Sequence, residues 1–272
     1  MDEQEKRRHF IQRTFNQVAP EYGKGSCRFF HISGELMAGM LGLQGHESVL
    51  DVAAGTGATS LPLARYLSSG RVMAIDFSSA MLDQARKLAA DAGLMNITFA
   101  QGDMTRLPFA TDSFDHVTCA FGLFFVDDMT ATLAHLARHV KPGGSVLISG
   151  FRGDSFQPMA GLLLDRLRDW SVAIPERIGW QRMAEPEQLQ DLFTAAGFDT
   201  HTIVRRSLGY RISLDDWWNI VWSAGFRGFV EQLGQRVDEF KQAHFEELRP
   251  LMTADRLWLE IDVNFSCAFR PS

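Results

Sequence analysis

Residues 48–60 read SVLDVAAGTGATS. A short apolar run carrying Asp51 meets a turn with Gly55 and Gly57. A helix with Leu61, Leu63, Ala64 and Leu67 follows. Strand, glycine turn and helix in that order predict the opening unit of a parallel α/β sheet. Glycine permits a positive φ and lets the backbone approach a ligand closely, and the helix start beyond favours negatively charged groups. A tight turn alone also explains a glycine pair, so the weight lies on its position between strand and helix.

Outward from this unit the alternation continues. Residues 71–76 (RVMAID) predict a second strand. Ser78 or Ser79 caps a helix with Met81, Leu82, Ala85, Leu88 and Ala89 on one face, and Gly93 ends it. Residues 96–101 and 114–121 predict strands three and four. Asp127 or Asp128 caps a helix with Leu133, Leu136, Ala137 and Val140 inward, stopped by KPGG at 141–144; residues 145–151 form strand five. A helix near 186–196 and a sixth strand at 198–204 follow. Upstream, residues 1–40 read as helical, interrupted by Pro20, Gly23 and Gly25, with a second helix at about 30–43. Residues 212–250 are helical and rich in aromatics: Trp217, Trp218, Trp222, Phe226, Phe229 and Phe240. In 257–269, Leu259, Ile261, Val263 and Phe265 alternate with Glu260, Asp262 and Asn264, a half-buried strand added antiparallel to the sheet. The fold class is α/β, a doubly wound sheet.

With 272 residues, 46% of them hydrophobic, the chain can bury one full core. The net charge is -6 and the pI about 5.7. Lys6, Arg7, Arg8 and His9 sit among acids and read as a solvated helix face, so no nucleic acid is expected. Cys27, Cys119 and Cys267 are far apart, which speaks against a disulfide framework or a zinc knuckle. His135 and His139, on the helix before KPGG, read as packing or solvent residues, and no metal is expected. MDEQEKRRHF lacks the apolar stretch of a signal peptide, and no run approaches the ~20 apolar residues of a membrane helix. The expected location is the cytoplasm.

Acids close three successive strands: Asp51, Asp76 and Asp103. Ligands of such sheets bind outside the carboxyl ends of the strands. Asp76 can accept both hydroxyls of a ribose, and Asp103 an adenine amino group, with Met104 against the ring. A nicotinamide-binding turn wants a third glycine, where this chain has Ser60.

The ordered set VLDVAAGTGATS, AIDFSSAML, AQGDMTRLPFATDSFD, CAFGLFFVDD and VKPGGSVLISGF resembles class I S-adenosylmethionine-dependent methyltransferases. It looks most like the ubiquinone/menaquinone C-methyltransferases and their small-molecule relatives. TFNQVAPEY at 14–22 resembles that family's N-terminal segment, and AAGF at 195–198 is a weaker match. The resemblance implies a Rossmann-like sheet with its last strand antiparallel, in a single domain over 1–272. Within it, 1–45 is expected as an N-terminal helical cap, 46–210 as the cofactor-binding core, 211–256 as a helical lid insertion, whose aromatics equally suit covering a substrate or packing the insertion onto the sheet, and 257–272 as the last strand.

It also implies roles. Gly55, Thr56 and Gly57 would wrap the methionine part of the cofactor, with Ala53 at the loop's start and Asp51 supporting the loop and the amino group. Asp76 would hold the ribose. Phe77 would flank the adenine and Asp103 and Met104 would bind it, with Met81 and Gly102 also contacting the cofactor. Ala120 and Phe121 would floor the sulfonium, and Tyr22 would reach the cofactor from the cap. Two positions depart from the pattern. Ala53 replaces the first loop glycine, and Phe124-Phe125 replaces the Arg-Asn pair of the quinone enzymes, which speaks against a quinone acceptor.

A general base is needed only for a protonated nucleophile. Tyr22 and His31, both in the cap, are the candidate catalytic residues. The expected reaction is methyl transfer to C, O or N of a small, partly apolar molecule, with S-adenosylhomocysteine as product. The alternatives are a cofactor-binding relative that catalyses another reaction and, in a different class, a nicotinamide oxidoreductase. Trp258 and the aromatics of 212–250 suit a partner subunit as readily as a ligand, so a homodimer stays open.

Overall fold

Every residue of β1 (Ser48–Val52) is buried, as expected of a strand with neighbours on both edges and helices on both faces. The computed structural model describes residues 3–23, 25–176, 178–223 and 225–271. Along the chain come α1 (Glu3–Val18), α2 (Phe29–Met40), β1, α3 (Ser60–Tyr66), β2 (Arg71–Asp76), α4 (Ser79–Asp91), β3 (Ile97–Gln101) and β4 (Phe114–Ala120). Then follow α5 (Met129–Ala137), β5 (Val140–Phe151), α6 (Met159–Asp169), α7 (Pro186–Ala195), β6 (His201–Ser207) and β7 (Tyr210–Ile212). The chain ends with α8 (Leu214–Ser223), α9 (Arg227–Val230), α10 (Val237–Leu248), β8 (Leu257–Leu259) and β9 (Asp262–Phe269).

The main sheet runs β3-β2-β1-β4-β5-β9-β6. β1 pairs parallel with β2 and β4, so the chain's direction of winding reverses between β1 and β4. Ligands bind at such a switch point. β9 runs antiparallel to both β5 and β6 and lies between them. The doubly wound sheet with an antiparallel last strand is thus the observed architecture.

Local chemistry selects among the caps. Ser78 accepts from the Met81 amide at 3.2 Å, and Asp128 from the Ala131 amide at 2.8 Å. Each such cap contributes about 1 kcal/mol. KPGG does not stop a helix: α5 ends at Ala137 and the four residues belong to β5. A Cβ at Gly144 would lie 2.2 Å from the Asp115 carbonyl oxygen, so glycine lets β5 press against β4 beside a register shift.

Two further differences from the sequence expectations have physical causes. The alternating run 257–269 is two strands. At the break, the Glu260 and Ile261 carbonyls accept from the Phe156 and Leu208 amides instead of continuing the ladder, and β8 pairs with β7 in a separate ribbon. The helix α6 had not been expected, although Met159, Ala160, Leu163, Leu164 and Leu167 bury at helical spacing.

The aromatics of α8–α10 pack among themselves. Trp217 is fully buried, donates its indole N–H to His244 Nε2 at 3.0 Å and contacts Phe226. Burial pushes the His244 imidazole down to about 4, against the pull of Glu247. Trp218 meets Trp222, Phe240 and Phe245. Each large ring withdrawn from water contributes about 1.5–3 kcal/mol. No helix among the described residues is long and apolar enough to cross a membrane.

Candidate active site

The turn after β1 is held by a buried carboxylate. Asp51 accepts from Thr118 Oγ1 at 2.7 Å and from Ser60 Oγ, bracing the turn against β4 and α3. Burial pushes its carboxyl up to about 6, opposed by those two hydroxyls. Gly55 has φ +56, and a Cβ there would face open space toward Tyr22, 4.0 Å away. Its amide donates to Asp76 Oδ2 at 2.8 Å, fastening the turn to the end of β2. Ala53 sits at φ 53 and Phe121, after β4, at φ 51. Both are left-handed without being glycine, a strain of about 1–2 kcal/mol each that tends to gather at functional sites.

At the end of β2, Asp76 accepts from the Gly55 and Ser78 amides, one on each oxygen. Burial raises its carboxyl, while the two amides lower it. Each oxygen keeps a second lone pair for a hydroxyl. At the end of β3, Asp103 Oδ1 accepts from the Thr105 amide and hydroxyl, and Oδ2 faces the Arg8 guanidinium.

The cap closes over these strand ends. Gln12 Nε2 donates to the Phe77 carbonyl at 2.9 Å, and Ser78 Oγ donates to Asn16 Oδ1 at 2.6 Å, tying α1 to the turn between β2 and α4. Val18 and Ala19 bury against Met81. Arg7 pairs with Asp127 on the loop after β4. That loop is held from behind by Arg182, which donates to the carbonyls of Phe124, Val126 and Asp127 at 3.2, 2.6 and 2.7 Å.

Between cap and sheet lies a cavity of about 380 Å³. Its wall brings together Tyr22, Ala53, Gly55, Asp76, Phe77, Met81, Gly102, Asp103, Met104, Ala120 and Phe121 of the sequence-derived set. Asp51, Thr56 and Gly57 are not in that wall: Asp51 and Thr56 are buried behind the turn, and Gly57 packs on Leu61 and Ala85. The exposed side chain of His31 is also outside it, beside Gly23. Burial raises the Tyr22 phenol far above its ordinary range, with Cys27 and Asp76 adding to the shift, so burial favours the neutral phenol over the phenolate. The aromatics of α8–α10 line no part of the cavity.

Of the wall that the cap supplies, sequence reasoning named Tyr22 and missed the rest. Arg8, Ile11 and Phe15 line the cavity from one face of α1, and Phe125, Val126 and Asp127 from the loop after β4. The spacing of Arg8, Ile11 and Phe15 marks a helix face, but not what that face covers. His135 and His139 lie outside the wall with their Nε2 atoms 3.4 Å apart. Among the described residues no third metal-binding side chain joins them.

The residues present fit an adenosyl cofactor. Two carboxylates stand at successive strand ends, Phe77, Met81 and Met104 offer apolar faces, and the position of a Cβ at Gly55 is open for a ligand.

Comparison with known proteins gives the same direction. A family model described as a methyltransferase domain matches residues 49–144. The demethylmenaquinone methyltransferase of Renibacterium salmoninarum is 35% identical over 181 residues, 64% of this chain and 72% of that protein. The ubiquinone/menaquinone biosynthesis C-methyltransferase of Bdellovibrio bacteriovorus is 34% identical over 157 residues, 56% of this chain and 66% of that one. Among solved structures, the YcgJ protein of Bacillus subtilis superposes with a TM-score of 0.61 at 20% identity, over 89% of this chain and 99% of that one. The cyclase SpnF gives 0.57 at 18% identity, over 89% and 82%. At such identities the structures establish the fold alone, which hosts more than one chemistry; the relatives in sequence carry the activity.

Proposed function

Because this chain belongs to the class I S-adenosylmethionine-dependent methyltransferases, the family of the demethylmenaquinone and ubiquinone/menaquinone C-methyltransferases, we propose that its cofactor lies along the cavity between α1 and the strand ends. The chain is a methyltransferase of small molecules. In this reading Asp103, Gly102, Met104, Phe77 and Met81 hold the adenine. Asp76 takes the ribose hydroxyls, and Ala53, Gly55, Ala120, Phe121 and Tyr22 surround the reacting end. Asp51, Thr56 and Gly57 act from behind by holding the turn.

S-adenosylmethionine supplies a methyl group on a positively charged sulfur. The protein's part is to orient the acceptor and exclude water. Histidine, lysine and cysteine are missing from the described wall, Asp127 is paired with Arg7, and Asp128 caps α5. We therefore assign neither Tyr22 nor His31 the role of general base: the acceptor brings a nucleophile that needs none from the protein. Phe125 replaces a polar residue of the quinone enzymes and contacts Phe15 edge-on at 5.2 Å. That wall favours a small, partly apolar acceptor over one activated by a polar pair. A cytoplasmic enzyme without nucleic-acid partners, monomeric or dimeric, completes the reading.

The observation that carries it is that Asp76 and Asp103, at successive strand ends, line one cavity together with Gly55. Calorimetric titration with S-adenosylhomocysteine tests it. Asp76→Asn and Asp103→Ala should each weaken binding about tenfold or more, the loss of a hydrogen bond to a charged group being about 1.5–3 kcal/mol. Unchanged affinity in both variants would place the cofactor elsewhere.

A further inference from the structure

We propose that the rings of Phe15, Tyr22, Phe121 and Phe125 form a cation-selective enclosure that holds the positively charged methyl donor in preference to its neutral product. The inference rests on the cofactor placement proposed above. All four rings line the cavity. They come from four separate places: α1, the turn after it, the end of β4 and the loop beyond. Phe15 meets Tyr22 edge-on at 5.9 Å and Phe125 at 5.2 Å. Behind the wall, Phe30 joins the two halves, stacking on Tyr22 at 4.9 Å and meeting Phe121 at 5.2 Å.

The order of cofactor parts along the cavity puts the sulfur here. With adenine at Asp103 and ribose at Asp76, the chain leading to sulfur runs past Gly55 toward Phe121. Tyr22 stands across from Gly55, 4.0 Å from where a Cβ would be. Charge compensation at that end is sparse. Asp103 faces Arg8, Asp127 is paired with Arg7, Asp128 caps α5, and Asp51 lies outside the wall. Of the carboxylates lining the cavity, Asp76 is the one that acts electrostatically on Tyr22, after the buried Cys27. Aromatic faces carry the negative lobe of a quadrupole and attract a desolvated cation. Leucine or valine would exclude water equally well but would not distinguish a sulfonium from a thioether.

On methyl transfer the bond from sulfur to the methyl carbon breaks and its electron pair remains on sulfur, while the carbon bonds to the acceptor's nucleophile. The charge leaves the enclosure with the methyl group, and the attraction of the rings falls away. The product is then held less tightly than the donor, which favours its release.

The test is calorimetric titration with three probes: S-adenosylmethionine, sinefungin (an ammonium analogue, also a cation at this position) and S-adenosylhomocysteine. The proteins are wild type, Phe15→Leu, Phe125→Leu, the double variant and Phe15→Tyr, with Asp76→Asn and Asp103→Ala marking the site. In the double variant, affinity for both cations should fall about five- to thirtyfold relative to S-adenosylhomocysteine, which is about 1–2 kcal/mol. Phe15→Tyr, which keeps a ring, should keep the ratio. If all three probes weaken alike, or if the ratio does not move, the rings serve shape alone and the enclosure is refuted. If S-adenosylhomocysteine binds equally well to wild type, Asp76→Asn and Asp103→Ala, the cofactor placement itself is wrong and the inference falls with it.

Discussion

Two glycines on one helix should respond to the same substitution with opposite signs. Gly34 and Gly39 both lie on α2. A Cβ at Gly34 would sit 1.9 Å from the Ala58 carbonyl oxygen and 2.5 Å from its carbon, while one at Gly39 meets nothing within 4 Å. Ordinary contact begins near 3.4 Å, so Gly34→Ala must move α2 or the cofactor turn by about 1.5 Å. The obstacle is backbone, which places the cost near the upper end of the 1–3 kcal/mol usual for overpacking. Better helix propensity returns up to about 1 kcal/mol. The net is a loss of about 2 kcal/mol, a fall in Tm of about 4–8 °C for a domain of this size. Gly39→Ala has only the propensity gain, about 0.5–1 kcal/mol, and a rise of about 1–4 °C. Because α2 also carries Phe30, stacked on Tyr22 at 4.9 Å, Gly34→Ala should weaken S-adenosylhomocysteine binding and Gly39→Ala should leave it unchanged. Differential scanning fluorimetry with calorimetric titration reads both. A Gly34→Ala protein as stable as wild type, or glycines that shift Tm in the same direction, would refute the packing argument.

The remaining predictions concern the strand ends. Asp51 titrates near 6 in the fold against 3.8 for the ordinary group, so the fold favours its neutral form. Its contribution to stability is complete below the ordinary value and is lost as pH rises through about 6. Asp51→Asn stays neutral throughout. Between pH of about 4 and about 7.5, wild type should lose about 2.4 kcal/mol relative to it in urea denaturation; parallel pH profiles would contradict the buried carboxylate. A Cβ at Gly122 would lie 2.4 Å from Ala53 Cβ. Gly122→Ala should therefore cost about 1–3 kcal/mol alone and markedly less with Ala53→Gly, which also relieves the left-handed strain at 53. Additive costs in the double-mutant cycle would show that the two positions do not touch.

Much of this protein is legible along the chain because its signals are local. Apolar runs ending in Asp51, Asp76 and Asp103, and helices with one apolar face, need only neighbours in sequence to be recognised. Where the reading failed, competing partners decided. KPGG looks like a helix stop, yet Gly144 serves a close approach of β5 to the Asp115 backbone. The run 257–269 looks like one strand, yet the carbonyls of Glu260 and Ile261 are taken by Phe156 and Leu208. The aromatics of 212–250 suit a substrate lid and the packing of the insertion equally well, and Trp217 is committed to Phe226 and His244 in the interior.

By itself, then, the sequence determined the α/β class, the order of strands and helices along the chain and the acids at three strand ends. Each of these follows from periodicity and backbone preference over a few residues. Only the tertiary structure decided that β9 enters between β5 and β6, that α1 roofs the cavity with Arg8, Ile11 and Phe15, and that Thr56, Gly57 and His31 stand outside the wall. Periodicity says that a face is apolar, but not which distant surface it will meet. That choice is made by packing and hydrogen-bond satisfaction among residues far apart in the chain.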